Sequence, residues 1–313
     1  MAAKLVKTLL INLLTVAVLL VVIELVSRVV LRKVYDREFD SSLIVENKYG
    51  SSSGLRAMAS AKVWGQPFTT DSNGCRATQA QRPNKNKWLY IGDSVTEGVG
   101  VDDSSTFANQ CAKQFSDFNI LNYSLIGYST PDYLNVLKTV LPGDTSIELV
   151  TLFYCLNDVY GSAKTKDLPV MAKQNWMGQI NGLLQNSCAT YKLIKLFFYR
   201  NSNRYFTYDL QFYKENDPHF TQAMADLNSC DSLCKYYNVY FNVVALPYQS
   251  QLKDKDFTPQ QLVKQYCAAH EIEFSDAAEH LAKDADPNGL YLFADEIHFS
   301  QKGHRAIADF LSE

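Results

Sequence analysis

Three short stretches, far apart in the chain, hold the residue types that acyl transfer needs. Gly92-Asp93-Ser94 follows the apolar pair Tyr90-Ile91 and presents a serine hydroxyl at the end of a strand-like run. Asp295-Glu296-Ile297-His298 sets a carboxylate and an imidazole three residues apart near the C-terminus, and Leu156-Asn157-Asp158 follows another apolar run. A serine hydroxyl is a poor nucleophile at neutral pH until a base accepts its proton. His298 is the candidate base, and Asp295 can fix its tautomer and stabilise the imidazolium as it forms. Asp93 is read differently, because a carboxylate beside the serine can bond nearby backbone donors and hold the turn. Asp158 and Glu296 have no assigned task. His304 reads as a packing or surface residue of the last helix, and His219, His270 and His280 stand outside any local motif.

Each motif alone is weak, and their order and context give them weight. From about residue 85 to the end the chain resembles the SGNH (GDSL-type) hydrolase family. Gly92-Asp93-Ser94 matches its first block, Gly127 in Asn122-Tyr123-Ser124-Leu125-Ile126-Gly127-Tyr128 its second, Asn157-Asp158 its third and Asp295-x-x-His298 its last. The resemblance implies Ser94, His298 and Asp295 as nucleophile, base and orienting acid. It implies an oxyanion hole made by the backbone N–H groups of Ser94 and Gly127 and the side-chain amide of Asn157. It implies no cofactor and no metal. The third block usually reads Gly-x-Asn-Asp, and this chain has Cys155 in place of the glycine, so the turn there is expected to be shaped differently. Membrane-anchored bacterial members tend to carry an Asn-x-x-Gly-Phe-Arg-like segment upstream. Residues 70–76 resemble it, with Cys75 replacing the aromatic residue.

The elements that must position these residues follow from the apolar patterning. Strand-like runs occupy 88–92, 120–123, 149–154, 239–246 and 272–275, and helical patterns fill 106–115, 131–140, 222–236 and 259–270. Ser300 is placed to cap a last helix running to Leu311. Alternation of this kind predicts an α/β fold, a three-layer α/β/α sandwich with a mostly parallel five-stranded sheet of the SGNH-hydrolase or flavodoxin-like type. Ligands of such sheets collect outside the C-terminal strand ends, where Ser94, Gly127 and Asn157 all fall.

An uncharged stretch from Thr8 to Ile23, with apolar character resuming to Leu31, predicts one N-terminal transmembrane helix over residues 8–31. Expected domains are the anchor at 1–33, a juxtamembrane spacer at 34–86 and a catalytic domain at 87–313, with an aromatic-rich insertion at about 159–216. Residues 191–198 of that insertion could form an amphipathic helix that rests on lipid, covers the active site or packs on the core, with packing as the favoured expectation. Lys4 and Lys7 precede the span while Arg28, Arg32, Lys33 and Arg37 follow it, a charge count that favours a cytoplasmic C-terminal side. The resemblance implies the opposite, an extracytoplasmic catalytic domain on a single-pass cell-membrane protein. A net charge of -3 gives no electrostatic reason to expect nucleic acid. Seven cysteines lack the spacing of a disulfide scaffold, and Cys230 and Cys234 read as two small core residues on one helix face rather than a metal pair.

The function expected is a membrane-anchored serine esterase that removes small acyl groups, O-acetyl above all, from a cell-envelope or exported polysaccharide. The alternatives are an O-acyltransferase of the same fold, a lipid or lysophospholipid acyl-ester hydrolase, and a catalytically silent glycan-binding envelope protein.

Overall fold

The computed structural model describes residues 2–78, 82–161, 176–199 and 203–313, and residues 162–175 and 200–202 of the aromatic-rich insertion lie outside them. The chain divides into two compact units, one of residues 1–36 and 170–201 and the other of 37–169 and 202–313.

The larger unit is built on a five-stranded parallel sheet in the order β6-β5-β7-β8-β9. Its strands are β5 (Asn86–Ile91), β6 (Phe118–Asn122), β7 (Ile147–Tyr154), β8 (Tyr240–Ala245) and β9 (Glu273–Asp276). The central strands are largely apolar in their inner halves, as strands covered on both faces must be: Leu89, Tyr90 and Ile91 of β5 and Val150, Leu152 and Phe153 of β7 have no accessible surface. Parallel pairing aligns Leu89 with Leu121 and Val150, and Leu152 with Val243, so the strands end together at one edge. From β5 the chain moves to β6 on one side and then crosses to β7 on the other. This reversal opens a crevice beyond the end of β5, where α/β sheets bind ligands.

The crossovers are made by α2 (Ser94–Glu97), α3 (Phe107–Gln114), α4 (Thr130–Val140), α7 (Arg204–Leu210), α8 (Pro218–Tyr236), α9 (Gln249–Asp254) and α10 (Thr258–Ala269), and α11 (Ala278–Leu281) and α12 (Gln301–Phe310) follow the last strand. Caps fix several starts. Thr106 accepts from Asn109 N, Asp217 from His219 N, and Ser300 from Gly303 N. Cys230 and Cys234 are buried on α8, where burial pushes both thiols up, that of Cys234 to about 12.

Residues 34–86 do more than space the anchor from the sheet. Two antiparallel hairpins, β1 (Ile44–Tyr49) with β2 (Ser52–Leu55) and β3 (Ser60–Val63) with β4 (Gln66–Thr69), belong to the larger unit. Their Leu43, Tyr49, Leu55, Val63, Phe68 and the nearby Cys75 join its core. The sequence is polar on average because only alternate residues of these short strands face inward.

In the smaller unit α1 (Ala2–Val34) contains a span, Lys4–Val34, long and apolar enough to cross a membrane, with a mean hydropathy of 2.8 and no part of its most apolar window buried. With it pack α5 (Trp176–Ser187) and α6 (Ala189–Tyr199). Glu24 of α1 accepts hydrogen bonds from the N–H groups of Ala189 (2.8 Å) and Thr190 (2.9 Å), capping α6. The core packing expected for 191–198 is not what is found. Among its apolar side chains Leu196 is buried, but Ile194, Phe197 and Phe198 are exposed.

Candidate active site

Strand β5 ends at Ile91, and the chain turns sharply into α2 through Gly92 and Asp93. A Cβ at Gly92 would stand 2.2 Å from Thr96 Oγ1 and 3.1 Å from the Phe153 carbonyl oxygen, so the turn closes only around glycine. Asp93 is the N-cap of α2, accepting from Val95 N at 2.9 Å. That is the holding role read from the sequence. Its second oxygen accepts from Asn157 Nδ2 at 3.1 Å, tying the first block to the third.

Ser94 Oγ lies 2.8 Å from His298 Nε2. On the far side of the ring, His298 Nδ1 is 3.1 and 3.0 Å from the two Asp295 oxygens. Asp295 Oδ1 also accepts from the N–H groups of Ile297 and His298, both at 2.8 Å, so the tight loop that separates the two residues fixes the carboxylate. A hydroxyl, an imidazole and a carboxylate in this sequence of contacts can pass a proton from Oγ to Nε2 while the Nδ1 proton stays on the carboxylate side. The set is recessed. Ser94 is 7% exposed, and the side chains of His298 and Asp295 are 13% and 12% exposed. Burial pushes the Asp295 carboxyl up, but His298 beside it, the hydrogen bonds from that residue and the charge of Arg37 outweigh burial and hold it well below the usual carboxylate range.

The strand ends of β6 and β7 bring the other two predicted residues. Gly127 follows β6 with φ +83°, a left-handed backbone that favours glycine, and a Cβ there would meet nothing within 4 Å. The preceding N–H, that of Ile126, is held by Glu97 Oε2 at 2.8 Å. Asn157 follows β7 in a short 3-10 turn, Leu156–Tyr160. One proton of its amide nitrogen goes to Asp93, which leaves the second for another acceptor. The reshaping expected from Cys155 is small. Its φ of -105° and ψ of 151° are ordinary extended backbone, open to any residue, and the buried Asp158 carboxylate closes the turn by accepting from Cys155 N at 2.9 Å.

Four further residues bear on the site. Arg76, from the upstream segment, is fully buried and bonds the carbonyls of Glu97, Gly98 and Val101 while pairing with Asp103 at 3.0 Å, so it fixes the loop that follows Ser94. His304 is buried against Phe107 and Phe299, its Nδ1 accepting from Phe107 N, and burial together with the charges of Arg76 and His298 lowers it to about 3. Arg37 and Trp64 touch Asp295 and His298 respectively, and no motif announced them.

The sequence profile of the GDSL-like lipase/acylhydrolase family matches residues 90–306, the span that carries all four blocks. The chain belongs to the GDSL-like lipase/acylhydrolase family. It is therefore an ester-hydrolysing serine hydrolase by family, as the sequence resemblance implied. Among solved structures this GDSL-family chain is similar to TesA (13% identity over 72% of this chain and 96% of that one, TM-score 0.46). It is similar to the acetylxylan esterase Axe2 of Geobacillus stearothermophilus (18% identity, 73% and 93% covered, TM-score 0.46). It is also similar to a lipase/acylhydrolase of Enterococcus faecalis (14% identity, 72% and 93% covered, TM-score 0.43). No curated protein matches this chain.

Proposed function

We propose that this GDSL-family hydrolase removes short acyl groups, acetyl in the first place, from an envelope or exported polysaccharide through an acyl-serine intermediate. Ser94 is the nucleophile, His298 the base that takes its proton and returns it to the leaving alcohol, and Asp295 the group that orients and stabilises the imidazolium. The backbone N–H groups of Ser94 and Gly127 and the second amide proton of Asn157 receive the developing oxyanion. The observation that carries this reading is the continuous contact from Ser94 Oγ through His298 to Asp295. The recessed hydroxyl supports a short acyl group over a long chain, since little of Ser94 is open to an incoming tail. The apolar N-terminal helix supports a single-pass anchor over residues 8–31, and the resemblance to anchored family members, against the flanking charge count, supports a catalytic domain outside the cytoplasm. Protease protection in whole cells and spheroplasts tests that side, because Cys75 and Cys267 are buried and unsuited to thiol labelling.

Hydrolysis of nitrophenyl esters from acetyl to long acyl chains, with Ser94→Ala as control, tests the chemistry. The expected result is turnover that falls with chain length and vanishes in Ser94→Ala. Preference for long chains would replace the glycan reading with a lipid substrate, and unchanged turnover in the variant would remove Ser94 from the mechanism. The same limited exposure of His298 favours a second outcome, transfer of the acyl group to a sugar hydroxyl where water is excluded. Product analysis with and without an acceptor polysaccharide separates transfer from hydrolysis.

A further inference from the structure

The family profile starts at residue 90, yet two side chains that precede it meet the Asp295–His298 pair. Arg37 Nη2 lies 2.9 Å from Asp295 Oδ2, the oxygen that is 3.0 Å from His298 Nδ1. The Arg37 guanidinium also stands over the Trp64 indole, 4.1 Å from its centroid. Trp64 in turn meets the His298 ring edge to face, with centroids 4.7 Å apart at 70°. The contacts close on themselves, from Arg37 to Asp295, from Asp295 to His298, from His298 to Trp64 and from Trp64 back to Arg37.

The backbone that presents Trp64 is unusual. Trp64 and Gly65 link Val63 to Gln66 in the β3–β4 turn, with φ +50° and +73°. Such a turn favours Asn or Gly at its first central position, and a bulky aromatic residue there is strained. Strain of this kind persists where the surroundings hold it, and it gathers at functional sites.

We infer that Arg37 and Trp64 are positioning residues for the proposed base, Arg37 by anchoring Asp295 and offsetting part of its charge, Trp64 by locking the imidazole ring so that Nε2 meets Ser94. This rests on His298 being the base. Asp295 and Arg37 face the ring from its Nδ1 side, and Asp93 and His304 act on it from the sheet side. Arg37 is the cation of this group that stays charged across the working pH range. Without it, the Asp295 carboxylate faces the ring with no cation paired to it, and the protonated imidazole is favoured.

The test uses the full-length chain in detergent with Arg37→Gln, Arg37→Lys, Trp64→Leu and Trp64→Phe. Arg37→Gln is expected to lower kcat about tenfold with KM within about twofold, and to move the acid limb of the kcat/KM profile up by roughly half a pH unit or more. Arg37→Lys is expected to return the limb toward its parental place while recovering kcat only in part, since an ammonium lacks the planar fork. Trp64→Leu is expected to lower kcat about tenfold without moving the limb, and Trp64→Phe to restore most of it. The titration of the His298 ring, followed by NMR of selectively labelled protein, gives the same shift without turnover. An Arg37→Gln titration that coincides with the parent, or losses that only track a lowered melting temperature, would overturn the inference. An Arg37→Gln shift of the His298 titration in a protein that hydrolyses no ester would instead contradict the esterase reading and leave this one standing.

Discussion

The loop that carries Asp295 and the strand ends that carry Asp93, Glu97 and Asp158 hold their carboxylates in opposite ways. All four are largely buried, but Asp295 has the His298 ring and Arg37 within contact distance, and these hold it ionised. Burial raises Asp93, Glu97 and Asp158 instead. Glu97 goes to about 8 even though the Arg76 charge and the Ile126 N–H pull the other way. Asp158 goes well above the carboxylate range, with Asp93 nearby adding to burial and the Tyr133 hydroxyl opposing it at 2.7 Å. Burial alone thus says little about the charge of an acid; what decides it is whether a direct ion pair and hydrogen-bond donors outweigh burial, as they do at Asp295 and as the more distant Arg76 charge does not at Glu97. One region keeps a fixed negative charge where, in the proposed mechanism, an imidazolium forms. The other uses acids as hydrogen-bonding braces for the loops that bear Ser94, Gly127 and Asn157.

The largest expected effect breaks the first half of this contrast. Asp295→Asn keeps the shape and removes the charge, and kcat for a short-chain ester should fall by roughly 10³–10⁴ with the fold intact by circular dichroism. Asn157→Ala removes the amide that Asp93 holds at the site, and kcat should fall by about 10²-fold with a smaller change in KM. Tyr133→Phe strips Asp158 of its hydroxyl donor, and chemical denaturation should show a loss of about 1–3 kcal/mol, the cost of an unsatisfied buried polar group.

Glu97→Gln should be the mildest, and its pH dependence sharpens the comparison. The folded pKa of Glu97 is raised, so the native state binds more protons than the unfolded one between about pH 4.5 and 8, and ionisation costs stability as pH rises through that window. Gln at this position is free of that cost. The melting temperature of Glu97→Gln relative to the parent should therefore improve steadily from pH 5 to 8. Asp295 has the reverse sign. Its folded pKa is depressed, so its contribution is present above the ordinary value of 3.8 and is lost only as pH falls below it.

The sheet was legible because β5, β7 and β8 are continuous apolar runs bounded by turn residues, and the strand ends then placed Ser94, Gly127 and Asn157 by topology. The two hairpins before the sheet were not legible. Their strands of four to six residues mix inward Val63 and Phe68 with outward Lys62 and Pro67, which averages to the composition of a loop. Arg37 and Trp64 were hidden for another reason. Each meets a residue more than two hundred positions away, and only a folded register brings such partners together. Cys155 misled in the other direction, because a glycine in a family motif suggests a special backbone and this turn runs in the extended region.

The central claim is that the contact from Asp295 through His298 makes Ser94 a nucleophile. A fluorophosphonate ester reacts with an activated serine hydroxyl to give a stable adduct. Peptide mass mapping after its reaction with the full-length chain should place the adduct on Ser94 and show its loss in His298→Ala. A Ser94 that stays unmodified while ester hydrolysis continues, or an adduct on another serine that accounts for the activity, would contradict it.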